Sequence, residues 1–539
     1  MDLVFSTYHG ESLVQDETYY NLDFGTLLQL PKKFKREGVV LPTARDVIEA
    51  AADHVTPQFR LVRVPRKTLD DRGSNQARKL QRFYEAFLNY LERGAVTSPY
   101  RDQTKQTALY GIGIAKLLYL QDAIPPEPSR SDHPDEADYK AARDDWNQER
   151  IDIMPFALQI INPAEVVFDI WHDPPQWVLQ SADRYVGELQ STYPNWANSK
   201  GRKVSDQVTV YEYWDAKVRS VLIDDEPGLA TDDGSGVLEY QWGDHPYVIV
   251  ASGFGMDDSK HKPENKFVGL LRHLKDILRS ESRNYSIADI VMKSGAWPVK
   301  AAEGDRANEM PALKMEYGTI QPLPPGVKLI DIAPTLPPQA VFQFLQLSNN
   351  IISSSAAPRV VRGLGQPGLT SGFDRQLALG EARLRYGPLA FASEQFLTAL
   401  CRKAAIYMRN VVSTPVSVGS ATTQDEFVEV SGKDFNGNHA VTVKVNVLEP
   451  EDEIRKHQDV STMVQAGLMS PQKGIEKISP DENPETEFGR ILGARLLFSP
   501  QIMQVIGQLA LQRVGSKLGV EELVKQILEA AQTSGEGTR

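Results

Sequence analysis

Three glycines, Gly363, Gly365 and Gly368 in the run GLGQPG, fit the spacing G-x-G-x-x-G, in which a tight turn lets main-chain N–H groups approach a pyrophosphate. That chemistry needs a strand before the turn and a helix directly after it. Here the run follows Arg-Val-Val-Arg after a helical segment, with no βαβ unit around it, and reads as a flexible loop. The patterns G-x-x-x-x-G-K-[ST], G-x-S-x-G and H-E-x-x-H do not occur. The 9 histidines are scattered, none at a spacing that sets two ligands on one helix face, and His54 and His273 read as packed or surface residues. Acidic pairs stand at Asp144-Asp145, Asp224-Asp225, Asp232-Asp233 and Asp257-Asp258. Converging carboxylates could hold catalytic metal ions, but each pair sits in a charged or Gly-rich stretch where a solvated turn is the ordinary reading. The single cysteine, Cys401, excludes an intramolecular disulfide and a multi-Cys zinc site. The residues therefore point away from an enzyme, a metal site and a bound cofactor.

Charge placement is the stronger signal. The chain carries 59 Lys+Arg against 71 Asp+Glu, a net charge of −12 over 539 residues. A simple nucleic-acid binder carries a basic balance or a basic face, so any contact with DNA must be local. From Ile332 to Phe373 the charged residues are Arg359 and Arg362, with no acid. A second local excess is the series Arg272, Lys275, Arg279 and Arg283, whose steps of three, four and four lie along one face of a helix. The plain alternative is a solvated face, with Arg279 and Arg283 paired to Asp276 or Glu281.

The elements that would carry these residues follow from periodicity and breakers. Hydrophobic residues make up 41% and charged residues 24%, which leaves ample apolar surface for a core. No apolar run approaches the ~18 residues of a spanning helix, and the start MDLVFSTYHGESL lacks a secretory pattern. A protein made in a reducing cytoplasm is expected. Residues up to about 120 read as mostly helical: PTARDVIEAAADHV, a stretch from Ser74 to Arg93 with Phe83, Phe87 and Leu91 on one stripe, and a third helix from Asp102 to Leu120 weakened by Gly111 and Gly113. Ile124 to Asp145 reads as an exposed Pro-rich loop. Residues 151–255 read as antiparallel strands, with a hairpin joining VTVYEYWD to VRSVLID.

Asn265 to Lys293 holds no proline and can form one long helix. The prolines between 296 and 338 exclude a long helix there and suit a small β-containing module. VFQFLQLSNNIISSS returns to helical spacing. A further helix is expected from Asp374 to about Val412, with a kink at Gly387-Pro388 and a stripe of Phe396, Leu400 and Ala404. AVTVKVNVLEP alternates as a strand, and the chain is helical again from Glu451. The fold class is α+β, mainly helical.

This order of elements resembles the portal, or head–tail connector, proteins of tailed bacteriophages. The local carriers are YEYWDAKVRSVLID, HPYVIVASGFG, LLRHLKDILRSESRNYS and AAPRVVRGLGQPGLTSGFDRQLALGEARLR. The resemblance covers roughly Arg45 to the C-terminal helices and rests on organisation, as the family has no short diagnostic motif. It implies a wing over 1–264, a first stem helix over 265–295, a clip over 296–338, a second stem helix over 339–358, a tunnel loop over 359–373, a long kinked helix with a returning wing strand over 374–450, and a helical crown over 451–539. The Pro-rich stretch near 124–145 has no place in it.

The resemblance further implies a homo-oligomeric ring, a dodecamer, at the capsid vertex of a virion. Double-stranded DNA would pass through it without sequence recognition. The other implied partners are a terminase motor, a head–tail adaptor, and the major capsid and scaffolding proteins, with no membrane; assembly would take place in the host cytoplasm. The tunnel loop would bring Arg359, Arg362, Gly363, Gly365, Gly368, Thr370 and Arg375 to the channel, and the stem would bring Arg272, Lys275, Arg279 and Arg283. Such a conduit suits the acidity, since each neutralised phosphate adds affinity that would hinder passage. A few arginines repeated around a repelling wall would steer the duplex. The alternative is another ring or scaffold component of a large assembly without a DNA channel. A nucleic-acid enzyme using the Asp-rich loops stands third.

Overall fold

The structure is a computed structural model. It describes residues 12–478 apart from 57–58, 69–70, 94, 134, 152, 232–233, 241, 258–261, 297–298, 310–323, 333–338, 356–371, 420–427, 436–439 and 447–449, together with 488–489 and 491–492. The chain divides into two compact units, Met1–Val447 and Leu448–Arg539.

In the first unit, helix α1 (12–20) is followed by α2 (Thr43–Val55), β1 (Phe59–Arg63), α3 (Asp71–Arg93), α4 (Pro99–Tyr110) and β2 (Ile112–Tyr119). Then come α5 (Glu136–Glu149), β3 (Phe156–Ile161), β4 (Val166–Phe168), β5 (Val178–Tyr185), α6 (Val186–Thr192), β6 (Gln207–Trp214), β7 (Val218–Ile223), β8 (Glu226–Pro227), β9 (Val237–Glu239) and β10 (Tyr247–Ala251). The rest of the unit is α7 (Pro263–Lys266), α8 (Lys275–Ala296), β11 (Val299–Glu303), β12 (Lys328–Ile332), α9 (Gln339–Ser355), α10 (Gly372–Asn410), β13 (Val416–Val418), β14 (Val428–Val430) and β15 (Thr442–Asn446). The second unit holds α11 (Pro450–Gln465) and α12 (Pro471–Ile478). The fold is mixed α+β with antiparallel sheets. Among the described residues no helix is long and apolar enough to cross a membrane.

The strands sort into separate sheets. One has the order β4-β5-β6-β7-β8, with β9 also on β7; the hairpin β6–β7 pairs Glu212 with Val221. A three-stranded sheet has the order β10-β2-β3, and β1 pairs with β15 at Val62–Val443. The two larger sheets meet over a buried charge. Lys116 of β2 reaches Glu212 of β6 at 2.5 Å, Arg219 adds a contact at 3.2 Å, and Trp214 Nε1 donates to the same carboxylate at 2.7 Å. A buried pair of this kind adds little net stability over an apolar contact, because the desolvation of both charges offsets their attraction.

Two helical stripes anchor the core. Phe83, Phe87 and Leu91 of α3 and Phe396, Leu400 and Ala404 of α10 are buried in one cluster, with Cys401 among them. Pro388 lies inside α10.

Four expectations are corrected. The helix expected over Asp102–Leu120 stops at Tyr110, where Gly111 takes φ +82 and caps the helix by donating to Thr107 O at 3.0 Å. The residues after it form β2, buried on both faces, where a continuous apolar run is what a central strand requires. The strand β1, within the region expected to be mostly helical, is the partner that β15 needs. The Pro-rich stretch is only partly a loop. Asp135 accepts from Ala137 N at 3.1 Å and starts α5, and Trp146 pins that helix by donating to Pro125 O at 2.8 Å.

The fourth correction concerns the single helix expected from Asn265 to Lys293. The chain forms the short α7, then turns, and α8 begins only at Lys275. The cause is a close crossing: a Cβ on Gly269 would lie 1.8 Å from Leu109 O, and Leu270 N donates to Ala108 O at 2.8 Å. The backbone here is tied to the end of α4, not to its own helical ladder.

Candidate functional site

The base of α8 is built against the N-terminal stretch of the first unit. Leu271, Leu274 and Leu278 are buried in a cluster with Phe24, Leu28 and Phe267. Asp16 of α1, fully buried, meets Arg272 at 2.8 Å and Lys275 at 2.7 Å. Burial lowers the Lys275 ammonium, and the Asp16 carboxylate opposes that shift. Two buried serines on α8 hold a strap of main chain: Val39 N donates to Ser286 Oγ at 2.9 Å and Leu41 N to Ser282 Oγ at 3.2 Å. Small hydroxyl side chains let the backbone lie close while satisfying its N–H groups.

These contacts change the reading of the cationic series. Arg272 lies in the turn before α8, so the four residues do not share one helix. Arg272 and Lys275 turn inward to Asp16, and Arg279 pairs with Asp276 at 2.9 Å. Arg283 is exposed on α8. No sequence pattern pointed to Asp16, because its partners are 256 and 259 positions away.

Beyond its base, α8 leads into the antiparallel pair β11–β12, which pairs Ala301 with Ile330, and the chain returns through α9, packed beside α8. The helix α9 has no charged residue. Arg359, Arg362, Gly363, Gly365, Gly368 and Thr370 lie outside the described residues. Arg375 falls within α10, and its side chain is also outside them.

The acidic pairs are accounted for locally where they are described. Asp224 and Asp225 sit in a turn with positive φ, and Asp224 is held by Lys200 at 3.2 Å and Arg202 at 2.9 Å. Asp144 and Asp145 are on the exposed side of α5, on a helix and not in a loop. Asp169 meets His172 at 2.6 Å and accepts from Trp171 N at 3.0 Å, which organises the turn after β4. Among the described residues no group of three or more His, Cys, Asp or Glu is placed to hold a metal ion.

No family model matches the sequence. No curated protein matches it either. Among solved structures, a chain in the virion of a native gene transfer agent particle is similar over 84% of this chain and 93% of its own, with a TM-score of 0.41 and 10% identity. That likeness is too loose to carry a statement about fold or function.

Proposed function

We propose that this chain is the portal subunit of a phage-like particle, a non-enzymatic ring that passes double-stranded DNA and docks the packaging motor and the head–tail adaptor. The observation that carries this reading is the run α8, β11–β12, α9, α10: two adjacent helices joined through a small β pair, followed by a helix of 39 residues. That order suits two stem helices, a clip and a tunnel helix. The sheets before it would form the wing, α11 and α12 the start of the crown, and the first stem helix would be α8 with its base at Asp16.

The channel role rests on the residues between α9 and α10. Arg359 and Arg362 are the charged residues of a 42-residue stretch in a chain of net charge −12. Repeated around a ring, they would guide the duplex electrostatically without reading bases. Sedimentation of the purified full-length chain tests the assembly. A discrete species many times the mass of one chain is expected; a monomer at every salt and protein concentration would overturn the proposal.

A further inference from the structure

We infer that the first half of α3 and the chain that enters it form a second DNA contact, one that holds the phosphate backbone of a duplex rather than letting it pass. The patch belongs to a single copy, so the inference goes beyond the ring reading and does not depend on it.

Phe59 to Arg82 carries eight Lys and Arg, six of them arginine, against Asp70 and Asp71, inside a chain of net charge −12. Arg63 ends β1, Arg66 follows it, and Arg72 and Arg78 stand on α3; all four are exposed. Among the described residues none of the four has an ion-pair partner. The described acids of α3 and of the turn at Gly432–Phe435 are engaged by other groups. Glu92 meets Arg60 at 2.8 Å, Asp434 meets Lys79 at 2.8 Å, and Glu85 accepts from Gln81 at 2.9 Å. A Cβ on Gly73 would lie 2.3 Å from Thr68 O, so the segment with Arg66 and Lys67 runs against the first turn of α3, beside Arg72.

Chemistry selects the ligand. Guanidinium groups pair with phosphate oxygens two at a time. Arg72 and Arg78 are six residues apart, about 9 Å of helix at 1.5 Å per residue, a span that covers two or three phosphates of one strand at about 3.4 Å each. A protein partner would need an apolar centre. Among the described residues no large exposed hydrophobic side chain falls between Phe59 and Arg93. A single strand would need exposed aromatic rings for its bases, and Phe83, Tyr84 and Phe87 are buried. A duplex, whose outer surface is phosphate, needs neither.

Fluorescence anisotropy of a short labelled duplex with the full-length chain tests this. Binding should not depend on base sequence, and its logarithm should fall linearly with the logarithm of salt concentration. Arg66→Gln, Arg72→Gln and Arg78→Gln together should weaken binding by about tenfold or more and reduce the salt slope by about 3, with the melting temperature unchanged. The same loss of charge at Arg130→Gln, Lys140→Gln and Arg143→Gln, before and on α5, should leave the slope as it was. An unchanged slope in the first variant, or an equal fall in the second, would overturn the inference. Polyglutamate competing as well as unlabelled duplex at matched charge would overturn it in favour of an acidic protein segment. Sedimentation of the same samples separates the two readings. Duplex held through these arginines by a chain that stays monomeric would overturn the ring and keep this contact. Rings whose duplex binding is indifferent to the first variant would do the opposite.

Discussion

Arg272 and Asp16 lie 256 positions apart and meet at 2.8 Å, with the carboxylate fully buried. Lys275 approaches the other oxygen at 2.7 Å. The contact ties the N-terminal helix to the turn that launches α8. Removing one partner of a buried pair leaves the other charges unmatched, so Asp16→Ala should destabilise the fold by about 3–5 kcal/mol in urea unfolding. Arg272→Gln with Lys275→Gln should lower stability yet leave DNA packaging unchanged in protein that still folds, because both cations are already engaged inside the chain. A packaging defect in such folded protein would return them to the channel.

The break before α8 gives a sharper test of the fold. A Cβ at position 269 would meet Leu109 O at 1.8 Å, a backbone atom that cannot move aside cheaply. Gly269→Ala should cost about 3 kcal/mol or more, far beyond the few tenths typical of surface changes. Gly111→Ala should be comparably harmful, since φ is +82 there and Val268 N would stand 2.3 Å from the new methyl. Thermal melts of the two variants measure both; a fall of only a degree or two would contradict the close crossing.

Acid should act in two windows. Burial, helped by the nearby Lys403 ammonium, pulls His245 down to about 4 from 6.5; Asp244 and main-chain bonds to Pro175 and Tyr247 oppose the shift. The unfolded chain therefore takes up this proton first, and stability falls as pH drops from about 6.5 to 4. For Glu49, burial raises the carboxyl, but hydrogen bonds from Lys105, Tyr20 and Arg101 outweigh it and bring it to about 2. Its contribution is complete above 4.5 and is lost as pH falls towards 2. Urea unfolding at stepped pH should show His245→Asn flattening the upper window and Glu49→Gln the lower. Unchanged slopes in either variant would remove that residue from the acid response.

Much of the helical plan was legible, and the reasons for the failures are physical. The stripe Phe396–Leu400–Ala404 of α10 and the hairpin β6–β7 show strong periods with one side buried, which local spacing reports well, and the period of α9 is as clear although Phe344, Leu347 and Ile351 stay exposed. The strand β2 is buried on both sides, so IGIAKLLY has no period to distinguish it from a helix. The helix α5 is polar nearly all round and is held by one buried residue, Trp146, so no stripe announces it. The break at Gly269 and the partner at Asp16 depend on distant chain, which no window of sequence contains. Arg359 and Arg362 stood out by charge, and their placement lies outside the described residues.

Those two arginines make the functional expectation most exposed to a simple variant. Arg359→Glu with Arg362→Glu reverses the charge of that stretch of sequence and, in a ring, repeats the change in every subunit. We expect assembly to proceed and DNA packaging and retention to fall at least tenfold, measured as nuclease-protected DNA per particle. Normal packaging would remove both residues from the mechanism.

The most direct test of the central claim is a cryo-EM reconstruction of the purified full-length chain. A closed ring is expected, with an axial lumen wide enough for B-form DNA, α8 and α9 along it, and Arg359 and Arg362 facing inward. A ring with a lumen too narrow for the duplex, or a chain that never closes into a ring, would contradict it.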